Sequence, residues 1–251
     1  MTVPDTAPLP EAKRPVFVIR MLRKLWRLLV DPPFRHMMRL YLLRPKQAFQ
    51  PFNDTGTNRY PRIFRFVQSQ LGASTELRIL SYGCSTGEEV FSLRGYFPNA
   101  AIKGIDINPG NIAACRQRLQ QAADARLSFE TAGSARAEPD AAYDAIFCMA
   151  VLRHGHLGRP GVTRCDHLIK FEDFADTIED FKRCLKPGGL LVVRHSNFRL
   201  CDTPAAGDFD TILQAPLRPS WRVTPIFGPD NRLMAGVTYP DTVFRKKSPS
   251  S

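Results

Sequence analysis

The stretch that most restricts what this chain can fold into is Gly83-Cys84-Ser85-Thr86-Gly87-Glu88-Glu89. It lies between an apolar run, LRILSY (77–82), and a run of helical character from Glu88 to Phe97. Glycines at such a junction let the backbone turn tightly and approach a ligand with no Cβ in the way. Asp106 ends the next apolar run, AIKGID (101–106), nineteen residues after Gly87. An acidic side chain there can accept both hydroxyl protons of a ribose. Strand, glycine turn, helix, strand and terminal acid together call for a parallel sheet with its ligand outside the carboxyl ends of the strands.

The rest of the chain continues that alternation. A helix is expected from Asn108 to about Ala123, strands at LSFET (127–131) and YDAIFCMA (143–150), and a helix at 171–185. That last helix carries Phe171, Phe174, Ile178, Phe181 and Leu185 at helical spacing, and Lys186-Pro187-Gly188-Gly189 breaks it before a strand at 189–196. Strands separated by helices at this spacing are parallel and covered on both faces. RLMAGV (232–237) and TVFRKK (242–247) are the expected late antiparallel strands. Before this region, Asn58 is the expected cap of a helix with Pro61 just inside it, stopped by Gly72.

Two ligand readings compete for the glycine loop. A dinucleotide site commonly has G-x-G-x-x-G and places a pyrophosphate on the helix N-terminus. Here Gly83, Ser85 and Gly87 set the spacing and two glutamates open the helix. Two carboxylates repel a pyrophosphate and suit a cationic amino group, which favours S-adenosylmethionine (SAM) over a nicotinamide dinucleotide.

ILSYGCSTGEEVFSL (79–93) resembles the SAM-binding loop of the chemotaxis-receptor glutamate methyltransferases. YDAIFCMAVL (143–152) and LKPGGLLVVRHSNF (185–198) resemble that family's fourth- and fifth-strand segments. The resemblance covers roughly residues 76–200. Between Asp106 and Tyr143 there is no room for the family's receptor-docking β-subdomain. The resemblance implies a class I methyltransferase: a Rossmann-like, mostly parallel seven-stranded sheet with helices on both faces and an N-terminal helical extension. It implies SAM as cofactor, with transfer of a methyl group to an O or N acceptor of a small molecule or protein side chain. The expected cofactor contacts are Gly83, Cys84, Ser85, Thr86 and Gly87 in the loop. Asp106 is expected at the ribose, Ile107 against the adenine, and Cys148 and Met149 at the end of the fourth strand. Glu88 or Glu89 meets the methionine ammonium, and the resemblance points to Glu88. Ala132 to Ser134 are expected near the adenine edge. His154 and His195 are the candidate catalytic bases, each weighed against a structural role as a hydrogen-bonded histidine.

Net charge is +11, and residues 1–50 hold ten Lys/Arg against three Asp/Glu. Residues 1–15 read as a flexible tail. In VFVIRMLRKLWRLLV (16–30), the cations Arg20, Arg23, Lys24 and Arg27 share a narrow helical arc and apolar side chains fill the rest, up to Asp31-Pro32-Pro33. Such a helix suits packing on its own domain or a partner copy, or peripheral contact with a membrane surface. The chain is accordingly divided into a basic tail and amphipathic extension, 1–58, and a methyltransferase domain, 59–251. The basic charge also raises nucleic acid, but no amino-methylation motif or recognisable RNA-binding module accompanies it. His154-Gly155-His156 and Cys165-Asp166-His167 hold metal-ligand residue types without a standard zinc spacing, so no metal is expected and 154–170 reads as a loop bearing substrate contacts. Six cysteines without a CxxC pair and the lack of a signal peptide lead to the expectation of a cytoplasmic protein. The alternative function is a catalytically weak or inactive SAM-binding or interaction module.

Overall fold

The computed structural model describes residues 14–43, 48–50, 55–72, 76–215 and 224–248. The tail expected over 1–15 lies, up to residue 13, outside the described residues. Seven strands form one sheet: β1 (Arg78–Tyr82), β2 (Ala101–Asp106), β3 (Leu127–Thr131), β4 (Tyr143–Met149), β5 (Leu185–Arg194), β6 (Phe209–Gln214) and β7 (Asp241–Lys246). Their order is β3-β2-β1-β4-β5-β7-β6. The first five strands are parallel, and β7 runs antiparallel to both neighbours. This is the Rossmann-like mixed sheet expected from the alternation.

Both faces of the central strands are apolar because both are covered. Successive side chains point to opposite faces. In β4, Ile146 and Cys148 join one core with Phe174, Ile178 and Phe181 of α6 (Phe171–Cys184). Ala145 and Phe147 join the other, with Ile63, Phe64 and Val67 of α3 (Pro61–Leu71), Val90 and Leu93 of α4 (Glu88–Tyr96), and Ile112 and Cys115 of α5 (Pro109–Ala122). Phe147 is fully buried and meets Phe64 edge to face at 5.7 Å between ring centres. Burying a ring of this size contributes roughly 2–3 kcal/mol.

Several boundaries differ from the sequence reading. β5 begins at Leu185, directly after α6, and the Lys-Pro-Gly-Gly run lies within its irregular start. There the pairing jumps from Leu185 opposite Tyr143 to Leu190 opposite Ala145. The sixth strand is Phe209–Gln214, not RLMAGV, which makes only isolated bridges, Arg164 with Arg232 and Phe227 with Leu233. Gly236, at φ +75°, turns the chain out of any extended path there. The cap position of α3 is Tyr60, not Asn58; Asn58 sits at φ +50° and its Oδ1 accepts from the Tyr96 hydroxyl at 2.8 Å.

At the N-terminus, α1 (Arg14–Val30) is followed at once by α2 (Pro32–Leu43). Asp31-Pro32-Pro33 is both stop and start. Asp31 Oδ1 accepts from the Phe34 N–H at 2.9 Å, and the prolines occupy first-turn positions where a missing N–H costs nothing. The Asp31 N–H still donates to Arg27 O, and the Arg35 N–H to Asp31 O, so the two helices join through a bend.

Candidate functional site

A cavity of about 940 Å³, counted out into the solvent at its mouth, opens at the carboxyl ends of β1, β2 and β4. Its floor is the glycine turn. Gly83 and Cys84 both donate backbone N–H bonds to Ile105 O, at 2.8 and 3.0 Å, which ties the turn to β2. Gly83 adopts φ +70°, and a Cβ there would lie 2.5 Å from Val151 Cγ2. Gly87, at φ +92°, is the left-handed cap of α4. Asp106 is buried at the end of β2 and organises the floor. Its Oδ2 accepts from the Ser85 N–H at 2.9 Å, and its Oδ1 accepts from the Asn108 N–H at 2.8 Å and Asn111 Nδ2 at 3.1 Å. Burial pushes the Asp106 carboxyl above its usual range, opposed by these three donors. Each oxygen can accept more than one hydrogen, so capacity remains towards the cavity.

Of the residues singled out from sequence, Gly83, Cys84, Ser85, Asp106, Ile107 and Met149 line the cavity, as do Ala132 and Gly133. Others fall behind it. Gly87 shapes the turn and does not form wall. Thr86 Oγ1 donates to Glu88 Oε2 at 2.7 Å, and Glu88 reaches outward to Arg118 at 3.7 Å. Cys148 is buried in the core beneath the floor, and burial pushes its thiol well up. Of the two glutamates that open α4, Glu89, not Glu88, lines the cavity, and its Oε1 accepts from Ser81 Oγ at 2.7 Å.

Neither candidate base lies in the cavity wall. His154 is buried; its N–H donates to Asn197 Oδ1 at 2.8 Å and its Nδ1 accepts from the His156 N–H at 3.3 Å, closing the short turn Gly155–Gly158. That bonding makes His154 a residue of the turn. His195 borders a separate small recess with Arg194, Ser196 and Thr224, its ring 6.0 Å from that of Tyr60. The loop 154–170 is held by the Arg164–Arg232 bridge and by buried Cys165, and none of its residues lines the main cavity. Among the described residues no cluster of three His, Cys, Asp or Glu is placed to hold a metal ion.

Sequence reasoning missed the opposite wall. Leu40 of α2, then Phe49, Gln50, Thr55, Arg59 and Tyr60, close the cavity from the N-terminal side. Gln50 Oε1 and Ser85 Oγ are buried here with no hydrogen-bond partner. Non-glycine residues with positive φ stand beyond the ends of three strands: Ser85 (+51°) after β1, Ala150 (+61°) after β4 and His195 (+56°) after β5. Such conformations cost energy and concentrate at functional sites.

Glu89 is half-buried in the cavity wall, and burial raises its carboxyl from 4.5 to about 7. A raised acid pKa favours the folded state while the group is protonated. The contribution is complete below about pH 4.5 and lost as pH rises through about 7. Glu89→Gln is expected to remove that slope, leaving the variant up to roughly 3 kcal/mol more stable than wild type at pH 8. Urea unfolding at pH 4.5 and pH 8 measures it; equal pH dependence in both proteins would contradict the burial of this carboxylate.

Comparison with known proteins agrees with the sheet. A family model described as a methyltransferase domain matches residues 73–220. The trans-aconitate 2-methyltransferase of Methylobacterium nodulans is 31% identical over 117 residues, 47% of this chain and 37% of that protein. The ubiquinone biosynthesis O-methyltransferase of Leptothrix cholodnii is 24% identical over 130 residues, 50% of this chain and 52% of that protein. The chain thus spans about half, or less, of the length of these curated relatives. Phosphoethanolamine N-methyltransferase 2 of Haemonchus contortus superposes with a TM-score of 0.42 at 19% identity, over 56% of this chain and 29% of that one. The family model and the curated relatives carry the broad assignment and not the closer likeness to chemotaxis-receptor enzymes. With the family model covering more than half of its length, the chain belongs to the methyltransferase-domain family and is a class I methyltransferase in fold.

Proposed function

We propose that this protein transfers a methyl group from SAM to an O or N acceptor on a small molecule or a protein side chain. The observation that carries this reading is the convergence of the Gly83 turn, Asp106 and Glu89 on one cavity. The residues present fit SAM. Asp106 Oδ2 suits a ribose hydroxyl, and Ile107 and Ala132 offer apolar surface for the adenine. Glu89 suits the methionine ammonium, and Arg59, on the opposite wall, suits its carboxylate. The buried, unpartnered Ser85 Oγ and Gln50 Oε1 are polar groups of the kind a bound ligand satisfies. When bound, SAM supplies a methyl group already attached to its leaving group.

The chain's own task is then mainly alignment and exclusion of water. Among the described residues the cavity wall holds no histidine. This favours an acceptor that is nucleophilic at neutral pH without a base. The curated relatives are named for a carboxylic acid and for ubiquinone synthesis, which keeps the small-molecule class foremost.

Calorimetric titration with SAM and S-adenosylhomocysteine tests the reading. Both are expected to bind, and more tightly as pH rises towards about 7, where Glu89 becomes a carboxylate able to pair with the ammonium. Glu89→Gln is expected to weaken binding at least about tenfold at neutral pH and to flatten that dependence. Absence of binding to folded wild-type protein would sink the reading. Binding without methyl transfer to any acceptor in a carboxylic-acid, amine and peptide panel would favour the non-catalytic SAM-binding module.

A further inference from the structure

Helix α1 meets the rest of the described chain at its C-terminal end, where it joins α2, and leaves its apolar face largely uncovered. Its described side chains from Met21 to Arg27 are all exposed, the apolar ones included. Trp26 is 64% exposed, Leu29 76% and Leu22 58%. Solitary exposed apolar residues are ordinary, but a contiguous helical face of them marks an interaction surface. At about 100° per residue, Ile19, Met21, Leu22, Leu25, Trp26, Leu28, Leu29 and Val30 span an arc of about 200°. Arg23, Lys24 and Arg27 lie in the remainder. Residues 14–43 contain seven Lys/Arg and a single acid, Asp31.

That one acid is already engaged. Asp31 pairs with Arg27 at 2.8 Å, and the Arg27 guanidinium also lies 4.2 Å over the Phe34 ring, so both residues brace the bend. Arg35 Nη1 donates to Leu28 O and Leu29 O, at 3.3 and 3.1 Å, and caps the end of α1. The bend is thus fixed by its own hydrogen bonds, while Arg23 and Lys24 project from the arm. Exposed Leu42 and Leu43, at the end of α2, add apolar surface on the same extension. No helix among the described residues is long and apolar enough to cross a membrane.

We infer that α1 docks on an anionic lipid surface, its wide apolar face entering the interface and Arg23 and Lys24 meeting lipid phosphates. The charge decides between occupants. A second copy of this chain packed against the apolar face would leave the cationic stripe without counter-charge, since the extension's one acid is already paired, whereas an anionic bilayer complements it. The width of the apolar arc exceeds what one partner helix covers and suits a plane of lipid. This inference concerns α1 and does not depend on the reaction proposed for the cavity.

The full chain is tested with phosphatidylcholine vesicles, with and without phosphatidylglycerol, by co-sedimentation. The chain has two tryptophans, Trp26 and Trp221, so Trp221→Phe makes Trp26 the sole fluorescent reporter. The expected result is sedimentation with anionic vesicles, a blue shift of Trp26, and a loss of at least about tenfold in partitioning for the Arg23→Glu/Lys24→Glu double variant. Both substitutions lie on an exposed face, and an unchanged unfolding midpoint shows that the fold is kept. Three results would overturn the inference: no partitioning, equal partitioning into pure phosphatidylcholine, or a lipid-independent Trp26 shift that tracks protein concentration and marks self-association.

Discussion

Asp106→Ala is expected to lose SAM binding by at least about tenfold and to destabilise the fold by about 2–4 kcal/mol. The two effects have one origin. The carboxylate accepts three hydrogen bonds, from the N–H groups of Ser85 and Asn108 and from the Asn111 amide. Without it, these donors face a cavity that water can partly enter, at a cost of about 1–3 kcal/mol for each one left unsatisfied. Relief of the desolvated charge offsets some of that loss, which is why the total stays below the sum. The ribose contact disappears as well, removing a charge-assisted hydrogen bond. Asp106→Asn separates loop geometry from charge. One amide oxygen can still serve Asn108 and Asn111, but the amide nitrogen then faces the Ser85 N–H, donor against donor. The asparagine variant is therefore expected to bind SAM nearly as poorly as the alanine variant while losing less stability. Calorimetric titration beside chemical unfolding checks both. A folded Asp106→Ala protein that binds SAM as wild type does would remove Asp106 from the proposed cofactor site.

What was legible in the sequence was what local chemistry determines. The glycine turn and the acid after it are set by neighbours along the chain, and the strands around them by runs of apolar residues. The choice between Glu88 and Glu89 was not local. Adjacent helical residues differ by about 100° in direction, and only the placement of α4 decides which one meets Ser81 on β1 and which meets Arg118 on α5. The histidines illustrate the same limit. Their titration range suits a base, but whether His154 faces a ligand or closes its own turn depends on Asn197, forty-three residues away. Asp31-Pro32-Pro33 was read as a stop, although proline early in a helix is also a start signal, and α2 was missed for that reason. The N-terminal wall of the cavity left no signal, because Gln50 and Arg59 acquire their meaning only when the extension folds over β1 and β4.

Gly83→Ala is expected to destabilise the protein by about 2–4 kcal/mol, through two separable causes. The first is conformational. At φ +70° a Cβ meets its own backbone, which costs about 1 kcal/mol for a non-glycine residue. The second is steric. The new methyl would lie 2.5 Å from Val151 Cγ2 and 2.9 Å from Cγ1. Valine is branched at Cβ and holds few rotamers, so it cannot swing aside and the turn itself must move. Movement would stretch the 2.8 Å bond from the Gly83 N–H to Ile105 O and displace the cavity floor. Val151→Ala in the Gly83→Ala background is expected to recover most of the steric part, leaving the 3.2 Å approach of the residue 151 Cβ and the conformational part, a coupling that a double-mutant cycle reads directly. Gly95, inside α4 with nothing within 4 Å of a would-be Cβ, supplies the opposite sign in the same structural unit. Gly95→Ala is expected to stabilise by about 0.5–1 kcal/mol, since helical alanine loses less backbone freedom. Should both alanines change stability alike, the left-handed turn would not be the feature that holds the glycine loop, and the contact with Val151 would carry none of the cost assigned to it.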